Sequence, residues 1–215
     1  MSQTERLVPP SSGTQRIVAR AAIAAYVVAG AGLVALVSIG LFFWVGQPWG
    51  TFNDLSVVVM TLALAPLMLA FWELGGLTPT PLALAAQASG WIAVLVWCGV
   101  QALMIRGVLA FDDHSGAMGA LAIEAVALVV IGLWVAGANL LAGPWLSWMR
   151  WTRWLGVLSG IGFVVLGIGL LLGGVNHSLA YVGGIGYQIV FPIWAFLMGR
   201  LLAATGSVIA AQRRY

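Results

Sequence analysis

Along this chain, long apolar runs alternate with short stretches rich in polar residues, glycine and proline. Six runs, at residues 17–45, 55–74, 82–105, 118–141, 154–173 and 179–202, each supply the roughly 20 residues that cross about 30 Å of hydrocarbon. The breaks hold turn formers and charge: Gly46, Pro48 and Asn53-Asp54 in the first, Gly75 and Pro79 in the second, Asp112-Asp113 in the third. Gly143-Pro144 marks the fourth, and Asn176-His177 the fifth. A bilayer core offers no water to a bare backbone, so the runs are expected to be helices, and no ten-residue alternating strands of a membrane barrel are visible. The expected fold class is therefore all-α: a polytopic membrane bundle of six transmembrane helices. Residues 17–204 make one domain, with a polar disordered tail at 1–16 and a second cytoplasmic tail at 205–215. The first run follows Arg16 and Arg20 much as a signal peptide would. It exceeds the roughly 7–15 apolar residues of such a segment and ends in no A-x-A site, so it reads as a retained helix.

Composition narrows the chemistry. Of 215 residues, 62% are hydrophobic and 7% charged, against about a quarter charged in a soluble domain. The absence of lysine excludes a Walker phosphate loop and any retinal or pyridoxal Schiff base. A single cysteine, Cys98, excludes an intrachain disulfide and a thiolate zinc cage. No cofactor and no metal is expected. Asp112, Asp113, His114, Asn176 and His177 fall on one side, but their spacing matches no known ligand pattern.

The formal charge of +3 rests on arginine alone. Arg6, Arg16, Arg20, Arg150, Arg153, Arg200, Arg213 and Arg214 share the side of both termini, and Arg106 faces the other. The positive-inside rule then orients both termini inward. The arginines hug the span ends and form no soluble basic face, so nucleic acid is excluded as a partner. The expected partners are the lipid bilayer and the anionic headgroups of the inner leaflet, and the expected location is the bacterial cytoplasmic (inner) membrane. Trp145, Trp148, Trp151 and Trp154 recur every third residue, interleaved with Arg150 and Arg153. Indole and guanidinium both favour the headgroup layer, so this segment reads as an interfacial anchor.

Charge inside a membrane is a functional candidate by default. Glu124 lies six residues into the fourth run, where its structural alternatives are pairing with Arg106 or protonation and hydrogen bonding to a neighbouring helix; Glu73 sits at a boundary. In the sixth run Gly183, Gly184 and Gly186 precede Tyr187, Gln188 and Pro192, an irregular helix of the kind that forms binding sites in transporters. Pro66 should kink the second helix as Pro192 kinks the sixth. Gly156-x-x-x-Gly160 and Gly169-x-x-x-Gly173 have the small-residue spacing of a close helix contact. Such a face serves either an intrachain seam or, through Gly156 and Gly160, a homo-oligomer or membrane-complex partner.

Six helices with both ends inside also resemble the rhomboid-type intramembrane serine proteases, with Ser115 ahead of Gly116 and His177 opening the sixth run as that family's catalytic pair. The glycine that precedes the family's serine is replaced near this position by Asp113, and the second helix lacks the family's His and Asn pair. No enzymatic constellation is complete. Taken whole, the chain resembles an uncharacterised bacterial family of six-helix membrane proteins of about 200–230 residues, a domain of unknown function. The resemblance rests on Asn53-Asp54 and Pro66, on the Trp-rich link before the fifth run, and on the ending from Phe191 to Arg200. It implies the fold and no catalytic residue. The sequence thus favours a non-enzymatic accessory or structural membrane component. The alternative is a small oligomeric permease or channel built on Glu124, Tyr187, Gln188 and the irregular sixth helix.

Overall fold

In the computed structural model of the protein, residues 12–75, 80–108, 117–141 and 150–212 are described. Every regular element among them is helical: α1 (Ser12–Val45), α2 (Trp49–Leu62), α3 (Leu64–Leu74), α4 (Pro81–Ile105), α5 (Ala117–Leu141), α6 (Arg150–Gly173), α7 (Ser178–Ile185) and α8 (Phe191–Gln212). A 3₁₀ turn (Gly174–Asn176) precedes α7, and a π turn (Gly186–Val190) joins α7 to α8. Taken with their continuations, these make six helices long and apolar enough to cross a membrane.

Local chemistry sets the helix ends. Gly46 adopts φ +84° after α1, a backbone region that glycine enters without a Cβ clash. Thr80 caps α4, its Oγ1 accepting the Ala83 N–H at 3.2 Å, and Pro81 occupies the first turn, where a missing N–H is harmless. The α2–α3 break falls at Ala63. Pro66 explains it, because a proline cannot donate to the carbonyl four residues back, that of Leu62, and its ring crowds that carbonyl. The helices run longer than the apolar runs alone suggest. α1 starts at Ser12, α2 at Trp49 and α8 continues to Gln212, since a helix can extend past the apolar stretch into the headgroup layer.

Cross-helix contacts make each span antiparallel to the next. Gln87 and Trp97 of α4 meet Trp134 and Glu124 of α5, and α1 lies along α8 from Val18–Gly206 through Tyr26–Gly199 to Gly32–Pro192. Two glycine faces of α6 allow its close packing. A Cβ on Gly160 would stand 2.5 Å from the Ala136 amide nitrogen of α5, and one on Gly167 would stand 2.5 Å from the Ala125 carbonyl. Gly162 and Gly169 face the other way, against Gly186 and Ala180. Two residues along an α-helix turn about 200°, so these faces lie on opposite sides of α6. Gly156 belongs to the first face, against the Asn139 side chain. The Gly156/Gly160 surface is thus an intrachain seam with α5, not one open to a second chain.

The core is aromatic. Phe163 packs edge-on to Trp97 (5.9 Å between centroids), to Tyr187 (5.1 Å) and to Phe191 (4.9 Å). Phe191 in turn stacks on Trp194 at 5.4 Å. The Trp194 indole N–H donates to Asn139 Oδ1 at 3.2 Å, and the Asn139 amide donates to the Val135 carbonyl. A buried polar pair is thereby satisfied inside apolar packing.

Candidate functional site

Glu124 lies on α5 about 10 Å from its start, at about 1.5 Å per residue, and is buried against α4. One of its carboxylate oxygens accepts the Trp97 indole N–H at 2.9 Å and the Gln101 amide N–H at 2.8 Å. Both donors are on α4, one helical turn apart, so a single face of that helix grips the carboxylate. Of the two structural alternatives for Glu124, hydrogen bonding to a neighbouring helix is the one found, in place of pairing with Arg106. Arg106 is the exposed C-cap of α4.

The carboxylate borders a chamber of about 250 Å³ between the helices. Asn53 and Asp54 reach its wall from α2, Trp97 and Gln101 from α4, Glu124 from α5, and Tyr187 and Gln188 from the π turn. Phe43, Leu128, Leu166, Leu170 and Tyr181 complete it with apolar and aromatic surface. The chamber sits toward the end of the bundle that carries the α1–α2 turn. Asp54 is about 8 Å and Gln101 about 6 Å from that end of their helices, by the same helical rise. Asp54 accepts the Asn53 side-chain N–H at 3.2 Å.

Three buried polar atoms on this wall have no hydrogen-bond partner among the described residues: Asn53 Oδ1, Gln101 Oε1 and the Tyr187 hydroxyl. Gln101 is 5% exposed and Tyr187 6%. An unmet buried polar group costs about 1–3 kcal/mol, so three around one cavity mark a place prepared for something polar. Among the described residues, neither carboxylate has a basic partner and no arginine or histidine lines the chamber. The site is therefore a carboxyl-bearing, acceptor-rich pocket with aromatic walls, assembled from α1, α2, α4, α5, α6, α7 and the π turn. The π turn matters locally: its wider winding lies beside Gly162, where the α6 backbone comes closest, and it carries both Tyr187 and Gln188. Such turns interrupt α-helices frequently at functional positions.

Glu124, Tyr187 and Gln188, singled out from the sequence, are brought together here; Arg106 is not. His177 has a structural task, its Nδ1 accepting the Leu179 N–H at 3.2 Å as the cap of α7. Its sequence partner Ser115 lies outside the described residues, as do Trp145 and Trp148. Of the anchor segment, Trp151 and Trp154 are exposed, Arg150 is exposed, and Arg153 donates to the Leu140 carbonyl at the end of α5. No group of three or more metal-ligating side chains occurs among the described residues. Sequence reasoning missed Asn53 and Asp54, assigned to a loop, and Trp97 and Gln101, read as plain span. The i, i+4 spacing of Trp97 and Gln101 was the available signal, a polar side chain one turn from an indole inside an apolar run. No protein-family model, curated protein or solved structure matches this chain.

Proposed function

We propose that this chain is a small permease or channel of the bacterial inner membrane, with both termini cytoplasmic, and that the chamber around Glu124 is its solute-binding site. The observation that carries the reading is the set of buried, unpartnered polar atoms around two carboxylates within an apolar bundle. A purely structural bundle is stabilised by removing such groups, whereas a transport pathway needs them. The irregular helix beside the site supports the same reading, since interrupted helices expose backbone and side chains to a solute at membrane depth. The orientation rests on the arginine distribution, which would place the chamber toward the outer face. The test is solute flux into proteoliposomes reconstituted with the wild-type chain or with Glu124→Gln. Loss of a protein-dependent flux in the variant supports the reading, and a flux unchanged by the substitution removes Glu124 as its site.

An accessory role keeps one supporting observation, the exposed Trp151 and Trp154 at the start of α6, a face suited to headgroups or to a membrane partner. A second protein retained through mild-detergent purification and lost on Trp151→Ala would favour it.

A further inference from the structure

We infer that the chamber binds a small primary alkylammonium, an inference that rests on reading the chamber as a solute site. The sign of charge comes first. Asp54 and Glu124 face the same space, and among the described residues no basic side chain lines it. An anion would find no counter-charge there, and a neutral solute would supply none, whereas a cation can pair with both carboxyl groups and hold them ionised in a medium where unpaired charge is costly.

The sense of the hydrogen bonds comes second, and it is independent of charge. Gln101 spends its N–H on Glu124, which leaves Oε1 as a buried acceptor with no donor. Asn53 likewise spends its N–H on Asp54 and keeps Oδ1 free. These two acceptors thus call for N–H or O–H donors. A primary ammonium has three donors and no acceptor, whereas a quaternary ammonium has none to give.

Size and surface come third. About 250 Å³ far exceeds the roughly 30 Å³ share of one water. A bare inorganic cation would demand a tight shell of about six oxygens. The wall instead adds apolar side chains from Leu128, Leu166 and Leu170, which suit an alkyl tail. The rings of Trp97 and Tyr187 lie 5.7 Å apart and can attract a cation through their faces.

The experiment is calorimetric titration of the purified full-length protein with butylammonium chloride, tetramethylammonium chloride, butan-1-ol, sodium butyrate and sodium chloride. Saturable binding of butylammonium is expected, at least about tenfold tighter than of tetramethylammonium, with no measurable binding of butanol or butyrate. Asp54→Asn and Glu124→Gln should each weaken it by about tenfold or more while eluting as the wild type on size exclusion. Absence of butylammonium binding overturns the inference, as does equal affinity for butanol or butyrate. Equal affinity for tetramethylammonium overturns the role of the two amide oxygens, and displacement by sodium at similar concentration overturns the organic ligand. The wild-type selectivity series decides all of these even if a variant fails to fold. Binding without butylammonium flux in proteoliposomes would remove the permease and keep the site. A Glu124-dependent flux of a neutral or anionic solute would do the reverse.

Discussion

A Cβ placed on Gly162 would stand 2.6 Å from the Cα of Gly186, so α6 and the π turn touch backbone to backbone. Any side chain at position 162 must push the π turn outward, and Tyr187 and Gln188 with it. Gly162→Val is therefore expected to destabilise the protein by about 1–3 kcal/mol, the range for overpacking a close contact. Gly30 on α1 has no atom near its would-be Cβ, so Gly30→Ala should leave the melting temperature unchanged or raised. Thermal unfolding followed by tryptophan fluorescence compares the two, and equal melting temperatures would contradict the contact.

Glu124→Gln should not destabilise the fold. Glutamine keeps an oxygen to accept from Trp97 and Gln101, and it removes a buried acid that has no basic partner among the described residues. The expected outcome is a melting temperature equal to or above that of the wild type. Gln101→Leu acts the other way, depriving the Glu124 carboxyl of one donor and costing about 1–3 kcal/mol, as for a buried polar group left unmet. If Glu124→Gln unfolded the protein, the carboxylate would be structural and the functional reading would fail.

The buried pair at the opposite end of the aromatic core gives a purely structural test. Asn139→Leu strips the acceptor from the Trp194 indole and should cost about 1–3 kcal/mol. The same substitution in a Trp194→Phe background should cost less, because no N–H is then stranded. Denaturant unfolding of the four proteins of this cycle gives the coupling energy, and a value near zero would mean that the hydrogen bond contributes nothing.

Topology is open to labelling. Cys98 is half-buried, so a Cys98→Ala background removes the one native thiol. Arg106→Cys and Arg200→Cys then place thiols at two exposed positions, one at each end of the bundle. An impermeant maleimide should modify the first in intact cells and the second only after permeabilisation. The reverse pattern would invert the orientation and turn the chamber toward the cytoplasm.

Six helices were legible in the sequence because bilayer-length apolar runs admit one regular backbone. Their ends were less so. A helix starting at Trp49 looks like a loop when only hydropathy is scored, and this put Asp54 outside the bundle on paper although it lines the chamber. Glu124 was legible as a lone charge, yet its grip by Trp97 and Gln101 was not. Sequence marks what is polar and leaves open which helix face turns toward which neighbour. The glycine spacing on α6 signalled a close contact, but it did not reveal that opposite sides of one helix are used for two different neighbours.

The two glycine faces of α6 also bear on how variation in this chain is to be interpreted. Positions 156, 160, 162, 167 and 169 have no room for even a methyl group, so a saturation scan would find them as intolerant as any catalytic residue. Their intolerance would record how closely a neighbouring backbone, or at position 156 the Asn139 side chain, approaches and nothing about a ligand. At Asp54, Gln101 and Glu124 the signature inverts: isosteric replacements should be well tolerated in expression and folding while activity is lost. Mutational sensitivity in this chain marks a site only where it is separable from abundance.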